Sequence, residues 1–396
     1  MQEEFHERLK SQIPKVELER RNSALQKAMK ARGIDVIIAQ NLTQYMGGCA
    51  RWLTDTIAEN NYPQSVILPA DSEVRYIATS GPPQDIYPPP HFCRIGRAFD
   101  NSPYFSVFKF TNTWEGEMAA RCLKEYNPKT IGIPGFNMFQ YNYYDYLKQN
   151  VDGIEFVDVS DIFDELRAEK SADEIAFIEK SAWIGDKVMS YTIPYARPGI
   201  NEFELRSRLM QVATDYGSEK SIVLLASAKE GEAKRPLPSF YQNREFEVGD
   251  SLYVSVTNTG PSGFFTSIGR MFSIGCEPSA KMLEDFNLTT ASQGKLAALL
   301  KPGAEPQQVF KEYNEYLSSV GCEKEEGLFA YGQGYDFIER PSIQPGETMK
   351  LAEGMCMSVN ISLVSSDKSS FLADSFLIEA GGVRRLHKTP LTVFRT

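Results

Sequence analysis

The residue types that commonly act in catalysis or bind metals are unequally represented in this sequence of 396 residues. Only three histidines occur, His6, His91 and His387, and none lies near another along the chain. Because histidine is the commonest metal ligand and a frequent general base, this count argues against a histidine-rich metal site and a histidine-based catalytic triad. The six cysteines are scattered, with no Cys-x-x-Cys pair, which predicts reduced thiols in a cytoplasmic protein.

Tyrosine and the acidic residues are the main remaining proton carriers, with 19 Tyr and 52 Asp+Glu against 42 Lys+Arg. The resulting formal net charge of −10 argues against a nucleic-acid partner. No apolar run reaches the length of a membrane span, and the polar first residues, MQEEFHERLK, are unlike a secretory signal. We therefore expect a cytoplasmic protein with a small-molecule substrate and no membrane partner.

The elements that must position reactive side chains fall into two groups. In residues 1–155, strand and helix signals alternate, with a helix over 5–32 and a hairpin over 65–78, which predicts an α/β domain. In residues 156–396, helices come first, one of them opened by a Ser-x-x-Glu capping box over 171–174. Strands such as DSLYVSV and DSFLIEA follow. We therefore predict a second domain, of α+β class, with a curved antiparallel sheet.

Segments of the second half, in their order and spacing, resemble the pita-bread family of methionine aminopeptidases, Xaa-Pro peptidases and creatinase. They are LRAEKSADEIAFIEKSA, NREFEVGDSLYVSV, GFFTSIGRMFSIG, YGQGYDF and LAEGMCMSVNISL. The first half, with RNSALQKAMKARGIDVIIAQNLTQYMGG, resembles the smaller N-terminal domain of the Xaa-Pro peptidase and creatinase branch. The resemblance implies a creatinase-like two-domain chain, an N-terminal α/β domain followed by a pita-bread domain.

The positions at which this family binds metal have all changed in this sequence. Family metallopeptidases hold two divalent ions with two Asp, one His and two Glu. By resemblance these positions fall on Ser255, Ser267, Gln333, Asn360 and Ala373. Neutral side chains supply no negative charge to offset two divalent ions. The resemblance therefore implies a metal-independent chain, and we expect no cofactor.

The metal-free chemistry of creatinase does not transfer either. The positions of its catalytic His and of one of its Glu fall on Pro238 and Gly269, although the neighbouring Arg270 is retained. A structural alternative for Arg270 is an ion pair with Asp374. The chain thus follows the family fold and departs from both of its chemistries.

Strand alternation indicates which side chains share a face with the changed positions. Tyr253 and Thr257 flank Ser255, and Ser358 precedes Asn360 by two residues, so we expect them to line the cavity. The predicted substrate-binding residues are Arg51, Trp52, Tyr253, Ser255, Ser267, Arg270, Tyr331, Gln333, Arg340, Ser358, Asn360 and Asp374. The alternative is that the polar groups at the changed positions hydrogen-bond to one another in a filled pocket.

The loop that carries the family's acid–base histidine holds the predicted catalytic residues, Tyr335, Asp336 and Glu339. A buried carboxylate can have its pKa raised toward neutrality, and a nearby arginine, Arg270 or Arg340, can lower the pKa of a tyrosine. Arginine can also hold a substrate carboxylate through two hydrogen bonds. We therefore predict general acid–base cleavage by a tyrosine–carboxylate pair.

The resemblance and the changed residues together predict an enzyme, a metal-independent hydrolase or lyase. It would cleave a C–N or similar bond in a small amino-acid-like or betaine-like substrate. Two alternatives stay open, a metal-dependent Xaa-Pro peptidase-type hydrolase with differently aligned ligands and a catalytically inactive binding module. In dimeric relatives an N-terminal arm reaches the partner's cavity, and Arg51 and Trp52 fall at about that position, so the resemblance also implies a homodimer.

Overall fold

The chain divides into two compact units. The structure, a computed structural model, describes residues 10–41, 47–57, 64–79, 85–102, 111–230, 232, 243–365 and 369–396. One unit is Gln12–Arg167, and the other is Ala168–Thr396 together with the described residues before Gln12. No described helix is both long enough and apolar enough to cross a membrane.

The first unit is a mixed α/β unit around one sheet. Its elements in chain order are α1 (Lys15–Arg32), β1 (Val36–Asn41), α2 (Gly48–Thr54), β2 (Gln64–Pro69), β3 (Arg75–Thr79), β4 (Arg97–Ser102), α3 (Trp114–Leu123), β5 (Thr130–Ile133), α4 (Tyr141–Asn150), β6 (Glu155–Asp158) and α5 (Ser160–Ala168). The strand order is β4-β3-β2-β1-β5-β6. The predicted hairpin is confirmed as β2 and β3, paired antiparallel. Because β6 pairs with β5, the unit continues beyond residue 155, where the sequence places the boundary.

Helix α1 begins later than the sequence predicts. It follows Pro14 and ends at Gly33, which has a left-handed φ of 67°, a conformation that glycine adopts without a steric penalty. Proline fixes its own φ and favours an extended residue before it, so residues ahead of Pro14 do not extend α1. The first part of the predicted range, residues 5–9, lies outside the described chain.

The second unit is built on a nine-stranded sheet. Its elements are α6 (Ala172–Tyr195), α7 (Glu202–Asp215), β7 (Ser221–Lys229), β8 (Asp250–Thr259), β9 (Phe265–Ser273), α8 (Ala280–Leu299), α9 (Pro306–Ser319), β10 (Ala330–Gly332), β11 (Glu339–Ser342), β12 (Cys356–Val364), β13 (Ser369–Glu379), β14 (Gly382–Arg385) and β15 (Phe394–Arg395). The main path is β11-β10-β12-β13-β9-β8-β7, with β14 on β13 and β15 on β9. The main-path pairings are antiparallel, as predicted.

Apolar side chains attach the helices to one face of this sheet, which we call the back face. Val254, Val256 and Ile268 form a buried core with Ile184 of α6 and Leu209 of α7. Each fully buried aliphatic side chain contributes about 1.5–3 kcal/mol. The predicted capping box of α6 is present, so the helix that covers this face starts where the sequence indicates.

Candidate functional site

The opposite face of the second sheet, which we call the cup face, carries two rows of side chains that run across the strands. The ligand row consists of Ser255, Gly269, Ala373 and Asn360, which pair directly on β8, β9, β13 and β12. The hydroxyl row lies two residues away on each strand and consists of Thr257, Ser267, Ser375, Ser358 and Tyr331. Both rows lie within the described ranges, and no residue in them is charged.

Three members of the hydroxyl row, Thr257, Ser267 and Ser375, are joined by hydrogen bonds through Gln333. Gln333 Nε2 donates to Ser267 Oγ at 2.8 Å, and Ser375 Oγ donates to Gln333 Oε1 at 2.9 Å. Ser375 Oγ also accepts from the Ser267 backbone N–H at 2.8 Å, and Thr257 Oγ1 lies 2.9 Å from Ser267 Oγ. Both polar atoms of the Gln333 amide are therefore bonded inside the protein, which removes the desolvation penalty of burying them.

The ligand row is polar only at its two ends. Ser255 and Asn360 are half-buried, whereas Gly269 and Ala373 between them are buried. Asn360 Nδ2 donates to Ser358 Oγ at 3.0 Å. The groups of this row that solvent reaches are thus a hydroxyl and an amide. The alternative in which polar groups at the changed positions satisfy one another describes the hydroxyl row better than the ligand row.

Tyr253 reaches from its own level of β8 toward the centre of the ligand row. Its ring stacks on Phe371, with ring centroids 4.9 Å apart and planes inclined by 26°, and it belongs to a buried cluster that includes Met271, Met282 and Phe286. The hydroxyl oxygen lies over Gly269, where a β-carbon would collide with it. Only a glycine at this position leaves room for the phenol.

The tyrosine hydroxyls of the cup face are held in the protonated form. Burial raises the pKa of Tyr253 to about 12, although the Ser255 hydroxyl and the Arg270 charge act to lower it. Burial also raises the pKa of Tyr331, against the effect of Ser358 and Asn360. The prediction that an arginine lowers a tyrosine pKa here is wrong for Tyr253, because desolvation outweighs the Arg270 charge.

The loop between β10 and β11 carries Tyr335 and Asp336, and Glu339 is the first residue of β11; the three predicted catalytic residues differ in environment. The Glu339 carboxylate lies 3.3 Å from Lys170 Nζ, with both side chains more than nine-tenths buried. It also accepts the Asp336 backbone N–H at 3.1 Å. The Tyr335 ring is buried against Phe264, with centroids 4.2 Å apart, and Asp336 is half-buried. Glu339 is thus bound both to a cation and to the loop backbone.

The arginines predicted to hold a substrate carboxylate are engaged with acidic residues of the chain. Arg270 and Asp374 are fully buried and form a bidentate pair at 2.8 and 3.1 Å. The Arg270 guanidinium also donates to four backbone carbonyl oxygens. By strand parity the pair lies on the back face, away from both rows. Arg340 pairs with Glu347 through two hydrogen bonds.

Arg51 and Trp52 belong to the first unit, where both side chains are buried, at 2% and 1% exposed. The Trp52 ring packs edge-on against Phe163, and the Arg21 guanidinium lies 5.7 Å from its centre. Arg51 Nη2 is 3.9 Å from the Asp55 carboxylate. Burial within the chain leaves these side chains little surface for a second copy, and their role at a partner's cavity stays a prediction.

The residues at the family's ligand positions do not fit a pair of divalent ions. A hydroxyl, an amide or a methyl group carries no charge, and the Gln333 amide is already bonded on both sides. Among the described residues no group of three His, Cys, Asp or Glu is arranged to hold a metal ion. Pro238, at the position of the creatinase histidine, lies outside the described residues.

Three residues of the site were not predicted from the sequence. Ser375 completes the hydroxyl row, and alternation from Ala373 would have placed it there. Phe371 follows from the same alternation in the other direction. Lys170 had no usable signal, because its partner Glu339 is 169 residues further along the chain.

Comparisons with known proteins agree with this architecture. The model of the creatinase/prolidase N-terminal domain matches residues 21–168, and that of metallopeptidase family M24 matches residues 176–387. The Xaa-Pro dipeptidase of Pyrococcus furiosus is 24% identical over 327 residues, which cover 79% of this chain and 87% of that protein.

Solved structures show the same fold at low identity. The X-Pro aminopeptidase of Thermotoga maritima superposes with a TM-score of 0.76 at 17% identity, covering 95% of this chain and 99% of that one. The N-terminal domain of FACT complex subunit SPT16 from Eremothecium gossypii gives 0.68 at 14% identity, covering 97% and 99%. The predicted creatinase-like two-domain fold is confirmed, and the chain belongs to metallopeptidase family M24, a family of hydrolytic enzymes.

Proposed function

We propose that this chain hydrolyses a C–N bond in a small amino-acid-like substrate without the metal pair of its family. The observation that carries the proposal is the neutral ligand row, in which Ser255, Asn360 and Ala373 stand where the family has acidic ligands. Hydroxyl and amide groups donate hydrogen bonds to carbonyl or carboxylate oxygens, and they bind divalent ions weakly without a charged ligand beside them. The cup therefore suits a substrate that brings a polar acceptor.

Substrate contact is assigned to the half-buried ends of the ligand row. Ser255 and Asn360 are the residues of that row that solvent reaches, and the Tyr253 and Tyr331 side chains lie beside them. All four are neutral donors at neutral pH, since burial keeps both tyrosines protonated. A carbonyl oxygen bound by such fixed donors becomes a better target for attack, because charge that develops on it is stabilised.

The acid–base step is assigned to the loop between β10 and β11. Gln333 anchors the start of this loop in the hydroxyl row, so Tyr335 and Asp336 follow within a few residues of the cup. In this mechanism they move the proton of the attacking water. Glu339 is bound to Lys170 and to the Asp336 backbone, and we assign it the positioning of the loop.

The test is hydrolysis of Ala-Pro and of other small amides by the purified chain after exhaustive chelation. We expect chelation to leave kcat/KM unchanged, and Asp336→Asn or Tyr335→Phe to lower it by about 100-fold or more. Glu339→Gln should act mainly on KM.

Matched controls are Asp152→Asn and Tyr141→Phe at exposed positions of the first unit. Wild-type kcat/KM in both loop variants overturns the assignment of the loop. Inactivation by chelator that Mn²⁺ reverses overturns metal independence.

A second candidate is a metal-dependent Xaa-Pro dipeptidase, favoured by the relative of that name from Pyrococcus furiosus. It would need ligands other than the five residues at the family positions. Metal analysis separates the two functions, since this candidate requires stoichiometric metal in the active protein and the proposed function requires none.

A third candidate is a domain that binds without turnover, favoured by the way Gln333 bridges Ser267 and Ser375 within the cup. The fold is shared with a domain of a FACT complex subunit, at an identity that carries the fold alone. A screen of amino acids, betaines and small amides by thermal shift, followed by mass analysis of each stabilising compound, separates binding from hydrolysis. A compound that stabilises the chain and stays intact supports this candidate.

A further inference from the structure

The ligand row has a gap at its centre. Gly269 has no side chain, and Ala373, its direct partner on the neighbouring strand, has only a methyl group. Ser255 and Asn360 flank these two residues on either side. By the family resemblance, three of the five metal ligands belong to this row, at 255, 360 and 373. Side chains long enough to coordinate an ion from these positions would converge above the gap.

The Tyr253 phenol fills this gap. Its hydroxyl oxygen lies over Gly269, and the side chain is buried, at 5% exposed. Stacking on Phe371 at 4.9 Å and burial in a cluster that includes Met271 and Met282 hold the ring in place. A well-packed aromatic ring has few alternative rotamers, so the hydroxyl is fixed where it lies.

We infer that Tyr253 determines the ligand specificity of the cup, because its phenol takes the place above Gly269 where metal ligands would converge. It replaces a cation by a neutral O–H donor, so the cup takes an acceptor such as a carbonyl or carboxylate oxygen. The inference rests on the proposed function and adds the residue that enforces it. It also makes Gly269 and Tyr253 interdependent, because the Tyr253 hydroxyl occupies the space that a side chain at position 269 would need.

The first experiment is a double-mutant cycle between these two residues. Gly269→Ala in the wild-type background forces the phenol to move and should lower the Tm by about 2–6 °C. In the Tyr253→Val background the space is open, and the same change should leave the Tm within about 1 °C. Equal shifts in the two backgrounds would overturn the inference. Gly294→Ala, at a helical glycine with open space around it, is the matched control.

The second experiment restores the family's ligands and measures Mn²⁺ binding by calorimetry. The changes are Ser255→Asp, Ser267→Asp, Gln333→His, Asn360→Glu and Ala373→Glu. We expect no Mn²⁺ binding while Tyr253 is present, and binding when Tyr253→Val is added. Binding in both variants, or in neither folded variant, contradicts the inference. If circular dichroism shows that these variants do not fold, the double-mutant cycle alone decides.

The unmodified chain separates failure of this inference from failure of the proposed function. Stoichiometric Mn²⁺ binding by the unmodified chain, with activity that depends on it, overturns metal independence whatever the coupling between Gly269 and Tyr253. An additive double-mutant cycle overturns the role of Tyr253 while chelator-resistant hydrolysis still supports the proposed function.

Discussion

On the back face of the second sheet, Arg270 and Asp374 are charged, fully buried and bonded to each other, whereas the two rows of the cup face are neutral. The two faces belong to the same strands, since Gly269 precedes Arg270 and Ala373 precedes Asp374. The back-face pair also binds the backbone of Thr389 and Pro390 and so fixes the C-terminal segment.

A buried charge is tolerated in this protein where bonded partners replace its hydration. Arg270 has a carboxylate and four carbonyl oxygens around it, which compensate for its lost hydration. Four carboxylates on the cup face without their metal ions would repel one another at low dielectric. Replacing metal and ligands together therefore costs less than removing the metal alone, and the neutral rows are consistent with the proposed metal-independent function.

The first unit holds an intermediate case, a buried carboxylate bonded to neutral donors. Glu115 accepts hydrogen bonds from Gln40 Nε2 and Ser65 Oγ, both at 2.8 Å, and Tyr143 is buried close by. Burial raises the pKa of Glu115 to about 7, because two neutral donors compensate only in part for desolvation. A single acidic ligand in the cup would have its pKa raised in the same way if no metal ion were bound.

The largest effect is expected from Asp374→Asn, which leaves the Arg270 charge buried without a counter-ion. Removing one partner of a buried pair destabilises a protein by about 3–5 kcal/mol. Urea denaturation of the second unit measures the free energy of unfolding. The control is Glu379→Gln, which removes an exposed pair with Arg384 and should change it by about 0–1 kcal/mol. Equal effects of the two variants would mean that the back-face charges are not energetically distinct from surface charges.

Glu115→Gln should remove a pH dependence from the first unit. A carboxyl whose folded pKa is raised from 4.5 to about 7 stabilises the fold below pH 4.5, and this contribution is lost as the pH rises to 7. Relative to the variant, the wild-type free energy of unfolding should fall by about 2–3 kcal/mol between pH 5 and pH 8. Thermal or urea unfolding at both pH values measures it.

The control for this prediction is Glu117→Gln, at an exposed carboxyl of the same helix α3, which should leave the pH dependence of unfolding as it is in the wild type. A pH profile of Glu115→Gln that parallels the wild type would show that the carboxyl is not desolvated as its burial indicates.

The smallest effect is expected from Ser375→Ala, which breaks the hydroxyl row. The variant leaves Gln333 Oε1 and the Ser267 backbone N–H without their partner, at a cost of about 1–2 kcal/mol. Urea unfolding measures the loss, and Ser362→Ala, at an exposed position of β12, serves as control. If the two alanine variants are equally stable, the hydroxyl row is open to solvent and not a closed network.

Local patterns in the sequence were enough to predict where α6 begins and which side chains share a face of a strand. Ser171 and Glu174 define the start of α6, and the alternation around Ser255 puts Tyr253 and Thr257 on one face, as the structure has them. The same parity places Arg270 and Asp374 on the other face, one residue away from Gly269 and Ala373. Strand parity therefore does not support the prediction that Arg270 and Asp374 bind substrate.

The sequence by itself predicted the two-domain architecture and, through its resemblance to the pita-bread family, uncharged residues at all five metal-ligand positions, since both depend on residue identity and spacing. Only the tertiary structure decided that Tyr253 lies over Gly269, that Gln333 bridges Ser267 and Ser375, and that Glu339 is bound to Lys170. These contacts join residues on different strands or 169 positions apart. Their geometry depends on side-chain packing across the sheet, which no local pattern along the chain encodes.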